Sequence, residues 1–198
     1  NTTWEMTETP YYLLDTVTVN VGSKLTIKPD VIVKMYRTSV IVQGTLRVLG
    51  TASNPVYFTS HRDDTLGGDS NGDGSATSPV RGDWTKIEFQ DSSSDANSLI
   101  DHAELLYGGY FDSAVKFSSA SPTVQNTTIK ESLHYALRAD LTSFPSLSHL
   151  IVVGNGINAL AVDGGSITAN TTWEMTETPY FLLDTVTVNV GSKLTIKP

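Results

Sequence analysis

The 198-residue sequence contains no cysteine, so neither a disulfide framework nor a thiolate metal site can hold it together, and the redox compartment is not readable from it. Basic residues are scarce. Thirteen Lys and Arg stand against 21 Asp and Glu, for a formal net charge of -8 and a pI near 4.8. That balance argues against nucleic acid as a partner, because phosphate binding needs a basic footprint. It suits a soluble surface that tolerates cations. No apolar run approaches the roughly 18 residues of a membrane helix, so no membrane span is expected. No signal-peptide pattern is present, and with Asn1 rather than Met in first place the sequence leaves a leader open. Histidine is limited to His61, His102, His134 and His149, and no G-x-S-x-G elbow accompanies them. A hydrolase triad is therefore not expected.

What the sequence does have is repetition. Residues 1–29 return at 170–198 with a single change, Phe181 in place of Tyr12, so the chain holds one period of 169 residues and the opening of the next. Near-identical copies present near-identical surfaces at a fixed separation, which suits a periodic scaffold better than a single active site. A shorter period lies beneath. SPTVQNTTIKESLHYALRAD (121–140) matches FPSLSHLIVVGNGINALAVD (144–163) without a gap at an offset of 23, placing Val124 on Leu147, Ile129 on Val152 and Leu137 on Leu160. Val, Ile, Thr and Leu alternate along this unit while Gly and Pro punctuate it, so it reads as strands and turns.

Alternating strands on a unit of about 22 residues predict one turn of a coiled sheet, each turn pairing with those above and below. One inward column is expected at Tyr12 and Leu14, Val40 and Val42, Ile87 and Phe89, Val115 and Phe117, Leu137 and Ala139, Leu160 and Val162, then Phe181 and Leu183. These pairs place six coils in 169 residues, an axial advance of roughly 29 Å. The spacing from Val40 to Ile87 is long because residues 60–83 form a polar, Gly- and Asp-rich insertion.

LTIKPDVIVKM, VIVQGTLRVLGTASNPVYFTS, GDWTKIEFQ, DHAELLYGG and the Pro-x-hydrophobic-x-Asn coils resemble bacterial cell-surface proteins with right-handed parallel β-helix domains. The resemblance covers essentially the whole chain and implies the fold, its hand and an exported, extracellular or cell-surface location. It implies no single activity, because that family includes adhesins, surface-layer components and polysaccharide-active enzymes. Sugar-cleaving members pair Asp with Gly-His-Gly or Arg-x-Lys segments, and neither is present here. Both ends of the sequence fall inside a motif without a visible cap, so a slice of a longer array is expected.

The insertion carries Asp69-Ser-Asn71-Gly-Asp73-Gly74, the first half of a calcium loop, in which alternating oxygen side chains converge on a hard cation and the glycine allows the sharp turn. The twelfth position is Val80 instead of a bidentate Glu, so Asp63 or Asp64 is expected to supply the missing carboxylate. A plain solvated turn of Asp, Asn and Gly is the simpler reading of the same residues. Asp140, Asp163 and Asp184 are expected at one register on successive coils, with Asp15 the copy of Asp184, either accepting turn N–H groups or forming a glycosidase-like pair. Asn126 and His149 share a register and are expected to stack at an inner turn, the Asn amide bonding the next coil's backbone. Three N-T-T triplets fit the glycosylation pattern, and Arg81-Gly82-Asp83 spells an integrin-type tripeptide.

The sequence thus predicts an all-β right-handed parallel β-helix (solenoid) of about six coils per 169-residue repeat, one domain over 1–198. Its expected role is structural: a segment of an extracellular filament, sheath or adhesin stalk, with further copies of itself as the partner along the axis. The alternatives are a domain that binds or cleaves cell-surface polysaccharide, or a calcium-dependent adhesion module working through residues 62–80 with Ca2+ as its ion. No catalytic set is expected.

Overall fold

The computed structural model describes residues 1–174 and 177–197; Met175, Thr176 and Pro198, within the second copy of the opening segment, lie outside the described residues. Short parallel strands wind into a β-solenoid of about eight turns. The first face stacks β1 (Thr2–Trp4), β4 (Lys24–Ile27), β7 (Thr45–Leu49), β10 (Leu99–Asp101), β13 (Thr123–Gln125) and β16 (Ser146–Ser148). The second face stacks β2 (Tyr11–Leu13), β5 (Ile32–Met35), β8 (Val56–Ser60), β11 (Ala103–Leu106), β14 (Thr128–Lys130) and β17 (Ile151–Val153). The third stacks β3 (Val17–Val19), β6 (Ser39–Val42), β9 (Lys86–Gln90), β12 (Ser113–Ser118), β15 (Tyr135–Ala139), β18 (Ile157–Val162) and β21 (Tyr180–Leu182). Beyond β18, β19 (Gly165–Ile167) pairs with β22 (Val186–Val188), and β20 (Thr171–Trp173) with β23 (Leu194–Ile196).

The offset of 23 read from the sequence is the pairing itself: Val124 lies beside Leu147, Ile129 beside Val152 and Leu137 beside Leu160. Between these strands the chain turns sharply by putting one residue in the left-handed region. His102, Asn126 and His149 do so between the first and second faces; Arg37, Tyr107, Glu131 and Gly154 do so between the second and third. A side chain in that region costs about 1 kcal/mol, offset here because the turn lets the strands on both sides keep their ladders. His149 therefore holds a corner, as its register with Asn126 suggests.

The core is a set of columns. On the third face Val40, Val42, Ile87, Phe89, Val115, Phe117 and Leu137 are fully buried, and Phe89 stacks on Phe117 at 6.0 Å. The two ends of the expected column differ from this. Tyr11 and Leu13 point inward, from the second face, while Leu14 is exposed; the third-face column opens instead with Val17 and Val19, which pair with Val40 and Val42. At the far end Tyr180 lies beside Leu160 and Phe181 beside Ala161, so Phe181 faces outward. The run Tyr-Tyr-Leu-Leu is apolar at four successive positions, so it carries no alternation from which to read a face.

Trp84 is the largest fully buried side chain, and its Nε1 donates to the Leu106 carbonyl at 2.6 Å. Gly108 lies against the ring, where a Cβ would stand 2.6 Å from Trp84 Cζ2. Gly108→Ala is expected to lower stability by about 1–3 kcal/mol through overpacking, read as a lower urea midpoint at unchanged slope.

Candidate metal centre

The insertion leaves the body at the corner between the second and third faces, after β8, and returns at β9. Its root is tightly bonded. Asp63, 2% exposed, accepts from Thr59 Oγ1 at 2.6 Å and from the Thr65 hydroxyl at 2.5 Å, and Asp83 accepts from Ser60 Oγ, the Val80 N–H and the Arg62 guanidinium. Asp83 is thus buried, and Arg81 is paired with Glu131, so Arg81-Gly82-Asp83 is not displayed as a recognition tripeptide.

Farther out, Asp64, Asp69 and Asp73 converge, each placing an oxygen within 4.8 Å of the others. Asp69 shapes the turn. Its Oδ1 accepts from the Gly72 and Asp73 N–H groups and its Oδ2 from the Gly74 N–H, with Gly72 and Gly74 in the left-handed region. Asn71 Nδ2 donates to Asp73 Oδ2 at 2.8 Å, and the Thr77 hydroxyl donates to the same oxygen. The Thr77 bond is the main reason the Asp73 carboxyl sits below its usual range. Asp64 Oδ1, Asn71 Oδ1 and Asp73 Oδ1 remain shielded from solvent without a hydrogen-bond partner. Three orphaned acceptors at one place fit a hard cation, which takes oxygen ligands. Of the two carboxylates considered from the start of the insertion, Asp64 joins the cluster. Asp63 is committed to the root.

Lys34, on β5, is fully buried beneath this loop and donates to the Gly68 carbonyl. Burial lowers its pKa, against the pull of Asp64, Asp63 and Asp69. One ammonium against three converging carboxylates leaves an excess of negative charge, which a divalent cation would balance. Lys34's part is not legible in the sequence, because alternation places it on the outer side of its strand and only the folded insertion covers it.

The aspartate column is shorter than expected. Asp140 and Asp163 share a register, their N–H groups donating to Phe117 and Ala139 of the preceding coils. Asp184 falls one residue out, against Gly164, and Asp15 follows the second face. The cause is the same Tyr-Tyr-Leu-Leu ambiguity. Asp163 is paired with Arg138 Nε at 2.7 Å, and Arg138 also contacts Asp112 at 3.2 Å. Asn126 also departs from expectation. Its amide donates to the Asp101 carboxylate, and Asn155 is the residue that bonds neighbouring backbone, donating to the Ile129 carbonyl and accepting from the Ser132 N–H. A left-handed corner turns the Asn126 side chain away from the core, whereas Asn155, 7% exposed, stands inside it.

Partial burial opposes the charge on Asp140, and donors from Thr142, Ser119 and Ser143 outweigh it, holding the carboxyl below its usual range. A depressed carboxyl contributes stability that is present above the unfolded value of about 3.9 and disappears as pH falls through the folded one. Asp140→Asn is therefore expected to cost about 1 kcal/mol at pH 7. In urea melts across pH, that gap from the parent should close below the ordinary carboxylate range.

No family model matches the chain, and no curated protein or solved structure matches it.

Proposed function

We propose that this chain is a structural segment of an extracellular repetitive protein, a filament, sheath or stalk, in which the solenoid of one 169-residue unit runs on into the next. The observation that carries the reading is a comparison of the two copies. Leu13, Val19 and Ile27 are 9%, 5% and 0% exposed, while their twins Leu182, Val188 and Ile196 are 48%, 42% and 66% exposed. The first set is covered by its pairing with Met35, Val42 and Val48. The same sequence placed after the second copy would cover the second set in the same way. Burying that apolar edge contributes roughly 25 cal/mol per Å².

The test is a chain carrying two units, residues 1–198 followed by a second copy of 30–169. The expected product is one rod about 60 Å long by small-angle scattering, melting in one transition above the melting temperature of the 198-residue chain. Two independently tumbling bodies would end the proposal.

In the same reading Ca2+ orders the insertion. Asp64, Asn71 and Asp73 supply oxygens to the ion and Asp69 braces the turn, with an affinity of about 10⁻⁴ to 10⁻³ M, the range of extracellular modules. Calorimetry with calcium is expected to show one site that Asp73→Ala abolishes. Chelator is expected to open residues 62–80 to protease, and identical digestion patterns with and without calcium would remove the ion from the proposal.

A further inference from the structure

The second copy does not sit where the first one does. The second copy begins nineteen strands after the first, at β20 instead of β1, which is six full coils of three strands and one strand more. As a result β2 opens the second face, whereas its twin β21 extends the third: Leu160, Ala161 and Val162 pair with Tyr180, Phe181 and Leu182. The twin of β3, β22, pairs with β19 and continues none of the three faces. Local structure is unchanged by the move. Trp4 stacks on Tyr11 at 4.8 Å and Trp173 on Tyr180 at 5.0 Å, and the pairing of Thr2 with Leu25 is kept between Thr171 and Leu194.

The junction is therefore made through the third face. Among the described residues β16 and β17 pair with no strand on the side of the second copy, and a cleft of about 250 Å3 lined by Phe144, Leu147, Trp173 and Tyr180 opens there. The junction coil is also shorter than the one before it: Leu160 and Tyr180 are twenty residues apart, against the offset of 23 between Leu137 and Leu160, and the strands on either side of β21, β20 and β22, join none of the three faces.

We propose that the partner of this end is a second copy of the unit, seated with this one-strand slip, so that the second face of each unit continues the third face of the unit before it. This rests on the array reading above. Each unit is then turned by one face, a third of a turn, for an advance of about 30 Å. The acidic insertion, which leaves at one corner, projects from the next corner in the following unit. It returns to its first direction only after three units, about 90 Å. An array built this way carries its cation-binding loops on a threefold screw instead of in one row, which spreads their negative charge around the axis.

The absence of cysteine makes a clean test possible in the two-unit chain. Neighbouring residues on paired strands lie within reach of a disulfide. Ala161→Cys with Phe181→Cys reports the slipped seating. Val153→Cys with Phe181→Cys reports an unslipped one, in which second face stacks on second face. Mild oxidation is expected to close the Ala161 pair in nearly all molecules, read as loss of both maleimide-reactive thiols by mass, and to leave the Val153 pair open. Closure of the Val153 pair within an intact rod would overturn the slip and leave the array standing. Open thiols in both variants, together with two loosely tethered bodies by scattering, would overturn the slip and the array together.

Discussion

A coil of this solenoid cannot satisfy its own backbone. Every strand presents N–H and C=O groups on both of its sides that only a neighbouring coil can pair, and its inward side chains are covered by the coils stacked on it. All else follows from that constraint. It keeps short strands in matched register whatever the length of the loops between them, and it lines up Phe89 with Phe117 and Leu137 with Leu160. Corner residues such as His102 and Asn126 take up the left-handed conformation so that the ladders need not break.

The two copies of the opening segment separate local from contextual effects in one molecule. The stacked Trp and Tyr pair and the strand pairing across one coil are the same in both, so 29 residues carry that much structure in their own sequence. Burial is different. Trp173 is 7% exposed and stacked on Tyr180, while Ile196 is open and Ile27 is closed. Identical residues are core or surface according to which neighbour is present, the expected behaviour of a molecule whose stability is summed coil by coil.

The insertion shows how a regular body hosts a special site. Its root borrows rigidity from the scaffold through Asp63 and Asp83, and its tip gathers carboxylates that would repel one another without a counter-charge. Lys34 supplies part of that charge from within the second face. At the tip, Asp64 Oδ1, Asn71 Oδ1 and Asp73 Oδ1 are left without donors, while the turn's own N–H groups are taken up by Asp69.

From the sequence alone came the 169-residue and 22-residue periods, the strand-and-turn unit, the third-face column from Val40 to Val162 and the oxygen-rich pattern from Asp69 to Asp73, because each is written as a regular spacing or alternation. Tertiary structure alone decided the face of Tyr11 against Tyr12, the choice of Asp64 over Asp63, the part of Lys34, the corner role that turns Asn126 outward, and the one-strand slip between copies. The reason is parity. Four apolar residues in a row, or two adjacent aspartates, have no period to read, and their side is settled by the coil that happens to lie beside them.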